Sequence, residues 1–188
     1  MDPIEQYLAP AIGDGDFDQL VTLFSEVYPN QALWLQMFID GLEQGWLGYA
    51  GPDEFRPRRY VVRQAGRIVV NATVRPRKVK TTRGHETIAG LCDVISHPEI
   101  RGCGYAKEVM HTVFGTVDNG EFSFSLFQTA GARGFYEKLR CKVVRNSIVN
   151  SCNIEDPTSN PFWEPWVMGY TGTGGLPEGE IDLLGAGY

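Results

Sequence analysis

No apolar run approaching the ~18 residues of a membrane-spanning helix occurs in this chain of 188 residues, so nothing in it predicts a membrane partner. The first residues, Met1-Asp2-Pro3-Ile4-Glu5, have neither the basic nor the apolar region of a secretory signal, and a cytoplasmic location is expected. Cysteine is sparse. Cys92, Cys103, Cys141 and Cys152 form no Cys-x-x-Cys pair and have no histidine at zinc spacing, which favours reduced thiols and argues against a metal site. Positive charge is also short, with 17 Lys and Arg against 23 Asp and Glu and a net charge of −6. A nucleic-acid backbone would need a clustered cationic surface, so no nucleic-acid partner is expected. Internal repeats and low-complexity tracts are missing as well. What remains is a chain with 43% hydrophobic and 12% aromatic residues, enough for one sizeable core without disulfides. The expectation is a single domain over residues 1–188.

The segment from Leu91 to Met110 carries the most information. Leu91, Val94 and Ile95 suit a buried strand, Pro98 ends it, and Arg101-Gly102-Cys103-Gly104 permits a tight turn with exposed N–H groups. Ala106, Val109, Met110, Val113, Phe114 and Val117 then recur at the spacing of one helical face. Strand, glycine turn and helix start together make an anion cradle, because the first N–H groups of a helix lack partners and its dipole attracts negative charge. A phosphorylated ligand is the reading, and a strand-to-helix turn without a ligand is the alternative. Two familiar phosphate loops fail on spacing. A P-loop needs Gly-Lys-Ser/Thr, which does not occur, and a dinucleotide-binding turn needs a third glycine where Lys107 stands.

Arg101, Gly104 and Ala106 instead satisfy Gln/Arg-x-x-Gly-x-Gly/Ala, and with the preceding His97-Pro98-Glu99 this resembles the coenzyme A pyrophosphate loop of the GNAT superfamily of N-acetyltransferases. Downstream, Ala132-Arg133-Gly134-Phe135-Tyr136-Glu137-Lys138-Leu139 is similar to the family's Ala-x-x-Phe-Tyr-Glu-Lys-Leu helix beside the coenzyme thiol. Between the two, Phe122-Ser123-Phe124-Ser125-Leu126 alternates as a half-buried strand does. The resemblance implies an α/β (α+β) fold whose mixed, mostly antiparallel sheet is flanked by helices. It also implies acetyl-CoA as co-substrate and a primary amine of a small molecule as acceptor, with a homodimer left open. Two positions depart from the pattern. Leu139-Arg140-Cys141 replaces Leu-Gly-Phe, removing a glycine C-cap, and Thr129 stands where Asn is common.

Elsewhere the periodicity predicts two core-facing helices. Phe17, Leu20, Val21, Phe24 and Tyr28 mark the first, and Trp34, Met37, Phe38, Gly41 and Leu42 the second. A hairpin is expected from Tyr60–Gln64 and Ile68–Val74, and further strands over Lys142–Asn150 and, closing the sheet, Trp166–Tyr170. The basic cluster Arg75, Arg77, Lys78, Lys80 and Arg83 reads as a solvated hairpin edge. Residues 171–188, opening with Gly172-Thr173-Gly174-Gly175, are expected as a flexible C-terminal tail. The tail's Leu176-Pro177-Glu178-Gly179-Glu180-Ile181-Asp182 is weakly similar to tails of aminoglycoside 2′-N-acetyltransferases and nodulation acyltransferases.

Acetyl transfer to an amine requires a deprotonated nitrogen, a polarised thioester carbonyl and a proton for the leaving thiolate. By the resemblance, Arg101, Gly102, Cys103, Gly104, Tyr105 and Ala106 hold the coenzyme pyrophosphate. The backbone of Val94, Ile95 and Ser96 pairs with the pantetheine arm. Tyr136 faces the sulfur, and a phenol with a pKa of about 10 suits protonation of the thiolate; packing against the sheet beside Phe135 is the other account of this residue. Asp93 is the candidate base, because it is a carboxylate in an otherwise apolar strand, and a structural hydrogen bond explains it equally well. Strand alternation puts Asp93 and Ile95 on one face and Val94 and Ser96 on the other, unless a bulge intervenes. The resemblance implies direct transfer in a ternary complex, with no acyl-Cys103 intermediate. Transfer of a longer acyl chain, or coenzyme A binding without catalysis, remains open.

Overall fold

A computed structural model describes residues 2–188 of the chain. By internal contacts the chain divides into two compact units, neither contiguous in sequence: Met1–Arg75 with Asp93–Met110, and Pro76–Cys92 with His111–Tyr188.

The first unit holds β1 (Ile4–Leu8), α1 (Asp16–Val27), α2 (Ala32–Asp40), a π-helical turn (Gly41–Leu47) and β2 (Arg58–Gln64). It also takes β3 (Arg67–Thr81) as far as Arg75, the end of β4 (Gly84–Ser96) and the start of α3 (Tyr105–Asp118). β1 pairs antiparallel with β2, and β2 with β3. Ala65 at φ 48° and Gly66 at φ 81° form the two-residue connection of that hairpin, both in the left-handed region that such turns require. Leu20, Leu23 and Phe24 of α1 and Phe38 of α2 pack on Val61, Ile68 and Ile95; of the stripe expected for α1, Leu20 and Phe24 are buried, Phe17, Val21 and Tyr28 pack partly buried against this cluster, and Leu23 joins it. α2 differs from expectation. Trp34 and Met37 are 37% and 51% exposed, while Phe38, Leu42 and Trp46 are buried. The chain passes from α2 into the wider π-helical turn at Gly41, and the buried stripe follows a spacing of four through it.

Beneath this helical layer Arg63 joins three side chains. Its guanidinium donates to Asp16 Oδ2 at 2.7 Å, to both Glu5 carboxylate oxygens at 3.1 Å and to Tyr7 Oη at 3.2 Å. Burial alone would lower the arginine pKa, but the hydrogen bonds to Asp16, Tyr7 and Glu5 outweigh it and raise it.

In the second unit β4 lies parallel to β5 (Ser125–Thr129), with Ala89 opposite Ser125 and Gly90 opposite Leu126. β8 (Trp166–Tyr170) runs antiparallel between β5 and the short β6 (Lys142–Val143). β9 (Ile181–Asp182) pairs parallel with β7 (Ile148–Val149) and antiparallel with β3 at Lys80. Val79, Ile88, Phe124, Leu126, Ile148, Phe162, Ile181 and Leu183 form the core of this unit. α4 (Arg133–Lys138) completes the helices. The sheet is mixed and mostly antiparallel with flanking helices, the expected class.

Several local expectations change. β5 starts at Ser125, and Ser125, Leu126 and Phe127 are all buried, so the strand is covered on both faces and is not half-buried. Lys142–Asn150 is two short strands rather than one, with Asn146 Nδ2 between them donating to Pro177 O at 2.8 Å and Gly179 O at 2.6 Å. β8 is an inner strand and does not close the sheet. The basic stretch is not a sheet edge, because β3 has hydrogen-bonded neighbours on both sides; Lys78, Lys80 and Arg83 are exposed as expected, whereas Arg77 donates to Leu183 O and Ala186 O at 2.9 and 2.8 Å while lying 5.0 Å over the Tyr188 ring. Residues 171–188, expected as a flexible tail, therefore carry a paired strand and a buried Leu183.

Candidate functional site

The strand that leads into the glycine turn is interrupted at Asp93, whose φ of 52° lies in the left-handed region. A residue in this conformation breaks the two-residue alternation of a strand, so the expected face-sharing of Asp93 with Ile95 does not carry through it. The Asp93 carbonyl accepts a 2.7 Å hydrogen bond from Asn71 Nδ2. Asn71 Oδ1 accepts in turn from Arg59 Nη1 at 2.7 Å, and Asn71 and Arg59 are both buried. Arg59 sits 4.9 Å from the Trp46 ring and 6.0 Å from the Phe38 ring. Beyond the interruption Ile95 is buried in the α1–α2 core, whereas Val94 and Ser96 are half-buried. His97 N–H then donates to Val69 O at 2.8 Å.

The turn that follows is built in two steps. His97 Nδ1 accepts from the Glu99 N–H at 3.3 Å and caps a single 3-10 turn, Pro98–Ile100, which gives His97 and Glu99 the loop-ordering role that their neighbour Pro98 suggests. Cys103 N–H donates back to Ile100 O at 3.2 Å, and Gly102 and Gly104 adopt φ of 83° and 89°. A Cβ on Gly102 would meet nothing within 4 Å, so the glycine there answers to backbone conformation and not to crowding. Arg101, Gly102 and Cys103 are exposed; Gly104, Tyr105 and Ala106 are half-buried. α3 begins at Tyr105, and the N–H groups of its first turn have no acceptor within the helix, which gives the turn the geometry of an anion cradle. Tyr105 itself is pinned. Its hydroxyl donates to Asp2 Oδ2 at 2.9 Å and accepts from Gln64 Nε2 at 2.8 Å, tying the head of α3 to β2.

Thus the first unit brings together Asp93, Val94, Ile95 and Ser96 with Arg101 to Ala106. Tyr136 belongs to the second unit, on α4. Thr129 Oγ1 accepts from the Ala132 N–H at 3.1 Å and orders the turn ahead of α4, whose N-cap Ala132 has no side-chain cap. Tyr136 is 5% exposed, with its ring centroid 4.5 Å from that of Phe127 and 5.1 Å from that of Phe135. Two aromatic rings thus pack beside it. Cys141, just past the helix, is buried, and burial pushes its thiol up to about 12, leaving it protonated and unreactive at neutral pH. All four cysteines are free, and among the described residues no group of three or more His, Cys, Asp or Glu could hold a metal ion. No described helix is long and apolar enough to cross a membrane.

Residues 11–144 match the family model described as an acetyltransferase (GNAT) domain, and the chain belongs to that family. No curated protein sequence matches it. Among solved structures it is similar to a GNAT family N-acetyltransferase from Escherichia coli in complex with CoA, with TM-score 0.63, 12% identity, 97% of this chain and 91% of that one covered. A GNAT family acetyltransferase from Brucella melitensis in complex with acetyl-CoA is similar at TM-score 0.59 and 10% identity, covering 97% and 96%. A probable N-acyltransferase from Enterococcus faecalis V583 matches at TM-score 0.55 and 15% identity over 75% of this chain, which spans only 32% of that protein's length.

Sequence reasoning did not single out Asn71 or Arg59. For Asn71 the signal was present, a polar residue inside the apolar run Ile68-Val69-Val70-Asn71-Ala72, and a buried polar group needs a partner; Arg59 stands beside Arg58 at the start of β2, where a charged residue is unremarkable.

Proposed function

We propose that this protein transfers an acetyl group from acetyl-CoA to a primary amine of a small-molecule acceptor, by direct attack in a ternary complex. The observation that supports the reading is the left-handed pair Gly102 and Gly104 immediately before α3, which presents a turn of N–H groups at a helix start, an arrangement suited to an anion. On this reading Arg101, Gly102, Cys103, Gly104, Tyr105 and Ala106 hold the pyrophosphate. The backbone of Val94, Ile95 and Ser96 pairs with the pantetheine arm and polarises the thioester carbonyl. Asp93, directly or through a water, takes the proton from the acceptor ammonium. The free amine attacks the carbonyl carbon, the carbon–sulfur bond breaks, the Tyr136 hydroxyl gives its proton to the departing thiolate, and the second proton lost from the attacking nitrogen returns, through solvent, to the Tyr136 oxygen. Residues 1–188 act as one catalytic domain, because β3, β4 and α3 each continue from one compact unit into the other.

The buried, aromatic setting of Tyr136 favours one other reading, a coenzyme A-binding module without turnover. The deciding experiment measures acetyl-CoA-dependent thiol release across an amine library, for the natural protein and for Tyr136→Phe. Release that falls about 100-fold or more in Tyr136→Phe, within the range for loss of a general acid, supports the transferase. Thermal stabilisation by acetyl-CoA without thiol release from any amine supports the binding module. A ligand at 100 times its Kd adds about 2.7 kcal/mol, so the absence of any stabilisation overturns both.

A further inference from the structure

Asp93 is not glycine, asparagine sits across from its carbonyl, and an arginine is buried behind the asparagine. A residue other than glycine in the left-handed region persists only where its surroundings hold it there. The Asn71 amide is a donor to the Asp93 carbonyl at 2.7 Å and an acceptor for Arg59 Nη1 at 2.7 Å, and this double use fixes both the orientation of the amide and which end is nitrogen. Arg59 is itself held against Trp46 and Phe38. The relay therefore runs from the α2 and π-helical layer, through a buried polar pair, to the one backbone carbonyl at which β4 departs from regular geometry.

We infer that Asn71, oriented by Arg59, is a positioning residue: it clamps the Asp93 carbonyl, keeps the interruption in β4, and so sets the direction of the Val94, Ile95 and Ser96 peptides. Because those peptides are the ones assigned to the pantetheine arm, the inference rests on the coenzyme reading above. Asn71 touches neither substrate nor reacting atoms in this scheme; it acts through the strand.

The test uses the full chain and two readouts. Asn71→Leu removes both hydrogen bonds, and amide hydrogen exchange of the unliganded protein is expected to quicken at Val94 to His97 while β5 and β8 keep their protection. Calorimetric titration with acetyl-CoA is expected to show Kd raised about tenfold, equal to ~1.4 kcal/mol. Asp93→Gly in the Asn71→Leu background is the rescue: glycine holds the left-handed conformation without a clamp, so slow exchange and most of the affinity should return. Unchanged exchange at Val94 to His97 in Asn71→Leu, or a double variant no better than the single one, overturns the inference. A natural protein that binds no acetyl-CoA overturns the coenzyme reading instead, while the exchange comparison still decides whether the clamp exists.

Discussion

Cys141 N–H donates to the Tyr136 carbonyl at 3.0 Å, and Arg140 N–H donates to the Glu137 carbonyl at 3.0 Å, so α4 ends in a Schellman turn. The residue that must turn left-handed in that motif is Arg140, at φ 68°, where glycine would stand without steric cost. The missing glycine that put the end of this helix in doubt therefore changes its cost and not its geometry. Arg140→Gly is expected to stabilise the protein by about 0.5–1 kcal/mol, the relief of left-handed strain less the extra chain entropy of glycine. Calorimetry should show Tm rising by roughly 1–4 °C for a chain of this size; a fall in Tm would mean that Arg140 earns its place through side-chain contacts.

Which parts of the fold were legible follows from how local their causes are. α1 and α3 were readable because one apolar stripe per helix decides what is buried, and the glycine turn because left-handed residues on either side of Cys103 favour glycine. The π-helical turn after α2 was not, since the shift of the buried stripe to Phe38, Leu42 and Trp46 depends on where the chain widens. β9 has two residues and exists only through its partners on β3 and β7, so no periodicity could reveal it. The interruption at Asp93 was open as an alternative but undecidable, because its determinant is Asn71, distant in sequence.

Arg63 and Asp16 form a second test. Asp16 is 3% exposed, accepts from Arg63 at 2.7 Å, and also accepts from the Gly13 N–H at 3.1 Å ahead of α1. Arg63→Met leaves a buried carboxylate without its cation and is expected to cost about 3–5 kcal/mol. Adding Asp16→Asn removes the charge and should recover part of that loss. Denaturant unfolding of both single variants and the double variant measures the coupling, and strict additivity would show that the pair does not interact.

Asp182 predicts a pH dependence. Burial would raise its carboxyl, but hydrogen bonds from Ser151 and Leu184, with Lys80 nearby, outweigh that and lower it below the usual value. A carboxyl whose folded pKa lies below the unfolded value of about 3.9 stabilises the fold above that value, and the contribution is lost as the pH falls through the folded pKa. Asp182→Asn should therefore cost about 1 kcal/mol at pH 7, the size of one hydrogen bond to a charged group weakened. The gap to the natural protein should narrow below about pH 4 as the natural side chain becomes protonated. Unfolding curves for the two proteins across that range test it, and a gap that stays constant would remove the carboxylate charge as the cause.

Gly102 separates backbone conformation from crowding at the turn before α3. Its φ is 83° and a Cβ there would meet no atom within 4 Å, so any penalty for a side chain comes from the left-handed backbone alone. Gly102→Ala is expected to cost about 1–2 kcal/mol of local strain. In an exposed loop the chain escapes that strain by leaving the cradle conformation, so the loss should appear as acetyl-CoA affinity weakened by about 5–30-fold rather than as a lower Tm. Asparagine tolerates the left-handed region better than alanine despite its larger side chain, so Gly102→Asn should bind acetyl-CoA more tightly than Gly102→Ala. The reverse order, with the larger side chain binding worse, would show that occupied volume beside the ligand and not backbone conformation is what glycine supplies.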